Sequence, residues 1–292
     1  MFATLSRSWE FAKISYGILW DYKKLIIFPL VSTVAAAIVT ASFLVPLWTS
    51  GTLEMWMEFM DSESEAVATT TDQIWMYSLL FLFYFCSYFV IVFFNAGLTA
   101  CALKVVSGEE PSIGYGFSMA AKRLPQIVAW ALLSAVIGVV LKIIENANEK
   151  VGYWVAALLG SAWTALTYFV VPVLVMDGVG PILAIKLSLK TLKGTWGEAL
   201  IGKFSLGMLS FLIMLPFLIV VGVLFAMAFA SGNMVNIVLA GILGVAVIII
   251  VCAFNSAADV IFKALLYNYA TGRSVPSKID TSNFSAAFAH KD

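Results

Sequence analysis

Residues Ile26–Trp48 read "IIFPLVSTVAAAIVTASFLVPLW" and contain no charged side chain. A helix rises about 1.5 Å per residue, so about 20 apolar residues cross the hydrocarbon of a bilayer. This stretch is long enough to span. Its prolines, Pro29 and Pro46, do not argue against that, because membrane helices tolerate proline where neighbours satisfy the freed backbone groups.

Five further runs of the same kind follow. The six spans are placed near residues 25–49, 74–97, 125–145, 153–176, 203–230 and 235–262. Composition agrees: 62% of the 292 residues are apolar and 12% charged, whereas soluble domains are about half apolar and a quarter charged. The chain therefore reads as an all-α polytopic membrane protein and as one integral domain over residues 1–292.

Alternating the connecting segments between two sides puts 15 of the 17 Lys and Arg with both termini, leaving Lys142 and Lys150 opposite. Positive charge near span ends favours the cytoplasm, so both termini are expected there. The opening residues lack a charged start, an unbroken apolar core and a small-residue cleavage site, so no secretory signal is read. The outer loop over residues 50–73 belongs to "TSGTLEMWMEFMDSESEAVATTTDQ", with six acids and no base. It reads as a cation-gathering vestibule or, more plainly, as a loop its acids keep soluble. Within it, "TLEMWMEFM" suits a short helix resting on lipid.

A threefold pattern organises the spans. Basic, helix-compatible stretches precede each odd-numbered one: "SRSWEFAKISYGILWDYKK", "PSIGYGFSMAAKRLP" and "GPILAIKLSLKTLKGTWGEALIGK". The unit is a cytoplasmic interfacial helix followed by a transmembrane hairpin, used three times, and internal repeats are common in membrane proteins. The first of these helices occupies residues 1–24. Its Phe2, Trp9, Tyr16 and Trp20 fall within roughly 40° of one another. Such a stripe suits the headgroup level or burial against the bundle, and Arg7, Lys13, Lys23 and Lys24 suit anionic headgroups. The basic helix over residues 179–200 places Lys186, Lys190 and Lys193 on one face and Ala184, Ser188, Thr191 and Thr195 opposite. A lysine face meets headgroups or water, and a small-residue face permits close packing.

"CAFNSAADVIFKALLYN", Cys252 to Asn268, stacks Asn255, Asp259 and Lys263 at i, i+4 and i+8. Counting 20 residues from Val235 ends the hydrocarbon at Phe254, and Asp259 then lies about 7 Å beyond it. Asn95 holds the comparable place in the second span, and Pro172 does so in the fourth. A structural polar cluster that ties down the interfacial helices is expected, ahead of an ion path. The even-numbered helices are expected to run on past the bilayer.

No chemistry-bearing constellation is visible. There is no His pair, H-E-x-x-H, G-x-S-x-G or phosphate-binding glycine loop. His290 stands alone in the tail over residues 271–292. Cys86, Cys101 and Cys252 form no metal or disulfide spacing. No catalytic residue, metal or cofactor is assigned, and no basic footprint for nucleic acid.

"SRSWEFAKISYGILWDYKKLIIFPL" resembles the opening of a large group of prokaryotic integral membrane proteins of unknown function. Those begin with an aromatic Ser-Trp helix, a basic pair and a Phe-Pro-Leu start to the first span. Here these are Ser8-Trp9, Lys23-Lys24 and Phe28-Pro29-Leu30. The resemblance implies a six-span protein of a bacterial-type inner membrane and carries no activity with it. The leading expectation is a non-enzymatic scaffold or accessory protein that contacts anionic lipid, a membrane protein partner or a second copy. The alternative is a transporter or channel for a small or lipid-like solute.

Overall fold

The structure, a computed structural model, describes residues 2–60, 70–147 and 151–272. Asp61, Glu63 and Glu65 of the outer loop, Lys150, His290 and most of the C-terminal tail lie outside the described residues. Among the described residues there are helices and turns and no strand.

Helix α1 (Phe2–Asp21) leads through a 3-10 turn (Lys23–Ile26) into α2 (Ile27–Thr49). Then come α3 (Leu53–Met60), α4 (Thr70–Val106), α5 (Ile113–Lys122), α6 (Leu124–Asn146), α7 (Gly152–Leu166) and α8 (Val170–Asp177). The chain continues with α9 (Pro181–Gly194), α10 (Trp196–Ala230) and α11 (Met234–Ala270). Among the described residues, six stretches have the length and composition to cross a membrane: Lys23–Thr49, Thr71–Val106, Leu124–Asn146, Gly152–Asp177, Lys203–Ala230 and Met234–Ala270.

Large apolar side chains face outward along these stretches, as with Trp48, Trp154 and Leu158, each more than 70% exposed. In water such surfaces would aggregate, whereas lipid chains match them. The molecule is a multi-pass helical membrane protein.

Helices α1, α5 and α9 precede the odd-numbered spans. Helix α3 forms where the short outer-loop helix is expected. Two of the even-numbered helices run on past their amides. Helix α4 extends from Asn95 to Val106 and α11 from Asn255 to Ala270.

The fourth span lies where it is expected, near 153–176, within Gly152–Asp177. It is two helices, α7 and α8, separated at Thr167–Phe169. The Phe169 N–H leaves the ladder and donates to Ser188 Oγ at 3.0 Å. Pro172 does not cause the break. It is the third residue of α8, in the first turn, where a missing N–H leaves no helical bond unmade.

The contacts group into two compact units, residues 1–30, 98–116 and 193–292 in one and 31–97 and 117–192 in the other. In the first, α1 packs on both α10 and α11, and α10 packs on α11. Gly244 makes that last approach close: a Cβ there would stand 2.9 Å from Val221 Cγ1. In the second, α6 packs on α7 and the rings of Trp130 and Trp163 stack in parallel at 5.6 Å.

Candidate functional site

In the first unit, the candidate site is built where α1 meets the charged ends of α10 and α11. Ala12, Ser15 and Leu19 of α1 are fully buried, on the face that packs inward. Tyr16 lies beside that face and is half-buried. Its hydroxyl donates to Asn255 Oδ1 at 2.8 Å and also lies 2.8 Å from Ser210 Oγ. A phenol has one hydrogen. With that hydrogen given to Asn255, Ser210 is the donor in the second bond. The Tyr16 ring stacks on Phe254 at 5.7 Å. One side chain thus fastens α1 to α10 and α11.

Burial raises the pKa of Tyr16 above the ordinary 10.0; the Ser210 hydrogen bond opposes the rise, and the negative charge of Asp259 adds to it. The hydroxyl therefore stays protonated at neutral pH and remains a donor. One turn beyond Asn255, Asp259 Oδ2 and Lys263 Nζ pair at 2.6 Å, each about a third exposed. Exposed i, i+4 pairs of this kind contribute only tenths of a kcal/mol.

Trp20 is 64% exposed, and Lys23 Nζ sits over its ring at 4.5 Å. Lys23 and Lys24 are both exposed. Trp9 lies on α1, but its side chain is outside the described residues. Between α1, α10 and α11 lies a groove of about 720 Å³. Its walls are apolar, with Tyr16 and Asp21 the polar residues among them.

Helix α9 is sided as its sequence suggests. Ala184, Ser188 and Leu192 are buried, whereas Lys186, Lys190 and Lys193 are exposed. The Ser188–Phe169 bond fixes the buried side.

Asn95, half-buried, belongs to the second unit, whereas Asn255, Asp259 and Lys263 belong to the first. In the same unit, Arg123 Nε donates to Val175 O at 3.0 Å and Gln126 Nε2 to Gly178 O at 3.0 Å, closing the end of α8. Gly178 has φ of 64°, and a Cβ there would collide with the Arg123 guanidinium. Lys142 is 94% buried and pairs with Glu145 at 3.3 Å in the last turns of α6. Sequence reasoning counted Lys142 only as an outer-side base. Its signal was the acid three positions on, the spacing of an intrahelical pair. Ser210 had no local signal, because its partner lies 194 residues away. Among the described residues, no three His, Cys, Asp or Glu side chains come together to hold a metal.

These features define a multi-pass helical membrane protein. Residues 74–275 match the model of a family of unknown function, DUF6159, and the chain belongs to that family. No curated protein and no solved structure matches it.

Proposed function

We propose that the protein is a non-enzymatic scaffold or accessory protein of a bacterial-type inner membrane. Both termini are cytoplasmic in this reading, with α1, α5 and α9 as interfacial helices before three transmembrane hairpins. Basic helix faces contact anionic lipid or a membrane-bound partner. The observation that carries the reading is the sidedness of α9. Its Ala184 and Ser188 are buried and its three lysines stay outward, which presents positive charge rather than enclosing it. A lysine near an anionic membrane surface contributes about 1 kcal/mol. Trp20, Lys23 and Lys24 supply a second such surface at the end of α1.

The test compares the purified full chain with Lys186→Gln/Lys190→Gln/Lys193→Gln by native mass spectrometry from mild detergent. Loss of retained anionic lipid or of a stoichiometric partner in the variant supports the reading. Unchanged retention sinks it.

The transport alternative draws on Lys142 and Glu145, since buried ionisable groups within spans mark solute paths in many membrane proteins. A flux in proteoliposomes that Lys142→Met abolishes would move the assignment there.

A further inference from the structure

We propose that the lysine row of α9 clasps one lipid that carries two phosphates, of the diphosphatidylglycerol type. The inference deepens the proposed function, since it rests on α9 meeting the membrane and names what the helix holds there. Along its exposed face α9 changes character from one end to the other. Ile182 and Leu183, in the first turn, are 62% and 48% exposed. Lys186, Lys190 and Lys193 follow on the same side, all exposed. At 100° per residue these five fall within roughly 100° of one another. Only residues 178–180 separate the apolar end from α8, the last part of the fourth span. Apolar surface beside the span and positive charge beyond it is the order of a lipid, chains first and phosphate after. An acidic protein surface would match the lysines and leave Ile182 and Leu183 against polar groups.

The number of phosphates follows from spacing and charge. Along the axis Lys186 and Lys190 stand about 6 Å apart, and Lys190 and Lys193 about 4.5 Å, at 1.5 Å per residue. Like charges at these spacings repel and weaken a helix, and α9 contains no acid to offset them. Three ammonium groups in a row leave two gaps, and a phosphate in each gap meets a lysine on either side. A lipid with a single phosphate fills one gap and leaves the other open. Two phosphates joined through one glycerol fill both. Once the first is seated, the second binds at the high effective concentration of a tethered group.

The experiment places the full chain in mixed micelles with equal amounts of diphosphatidylglycerol, phosphatidylglycerol and phosphatidylcholine built from the same acyl chain. Native mass spectrometry then reads the lipid retained. The wild type is expected to hold one diphosphatidylglycerol per chain, preferred over phosphatidylglycerol about fivefold, the effect of one further lysine at an anionic surface. Lys190→Gln removes the lysine shared by both gaps and should bring that preference to within about twofold. Lys190→Arg should keep it. The position is exposed, and a thermal melt checks that each variant is folded. Equal retention of the two anionic lipids by the wild type overturns the inference. The proposed function still stands in that case if Lys186→Gln/Lys190→Gln/Lys193→Gln loses both lipids. A preference that persists in folded Lys190→Gln traces to the larger number of acyl chains and also overturns the inference. Retention of a protein partner without lipid overturns it too, and retention of neither sinks both readings.

Discussion

Tyr16 Oη donates to Asn255 Oδ1 at 2.8 Å across 239 residues of chain. With Ser210 on the same hydroxyl, this bond makes α1 a fixed part of its unit rather than a free amphipathic arm. Tyr16→Phe keeps the ring against Phe254 and removes only the hydroxyl, leaving two half-buried partners unmatched. The expected loss is about 1 kcal/mol, read as a lower melting temperature in detergent. Asn255→Ala should cost a similar amount, and the double variant less than the sum, because one interaction is removed twice.

The same hydroxyl gives a pH dependence. Its raised pKa means that the folded state holds the proton more tightly than the unfolded chain. That contribution is complete below about 10, the unfolded value, and is lost as pH rises through the higher folded value. As pH rises above about 10 the wild type should therefore lose more stability than Tyr16→Phe. Parallel melting curves for the two proteins would contradict the assignment.

Gly178→Ala should destabilise the second unit by more than about 1 kcal/mol. It forces a side chain into positive φ and pushes on the Arg123 guanidinium that caps α8. Arg123→Ala should cost about 1–3 kcal/mol by leaving the α8 carbonyls unmet. Chemical denaturation of the two variants checks both figures, and wild-type stability in either would refute the cap.

Gly244→Val should strain the α10–α11 contact, since even a Cβ stands 2.9 Å from Val221 Cγ1. Overpacking of this kind costs about 1–3 kcal/mol. Val221→Ala opens space beside it and should restore part of the loss. No rescue would mean that the two helices do not meet through this pair.

Much of the fold was legible because hydrocarbon sets a strict length. The uncharged run Ile26–Trp48 allows one structure only, and the other spans follow the same arithmetic. The extension of α4 and α11 past their amides was also legible, from counting residues inward from the opposite loops. The break in the fourth span was not. It depends on Ser188, nineteen residues downstream of Phe169, and no local pattern in "YFVVPVLVMD" records that partner. At the candidate site, the stacking of Asn255, Asp259 and Lys263 could be read from spacing, and the lysine face of α9 likewise. Tyr16 stood out only as one ring in a stripe. Its pairing with Ser210 and Asn255, and the burial of Lys142 beside Glu145, are tertiary facts that a one-dimensional period cannot carry.

The measurement that tests the central claim most directly is native mass spectrometry of the full chain from mild detergent, beside Lys186→Gln/Lys190→Gln/Lys193→Gln. The account predicts that the wild type retains anionic lipid or a stoichiometric partner, and that the variant loses it while melting at the same temperature. A wild type and variant that retain the same species, together with solute flux in proteoliposomes, would contradict it.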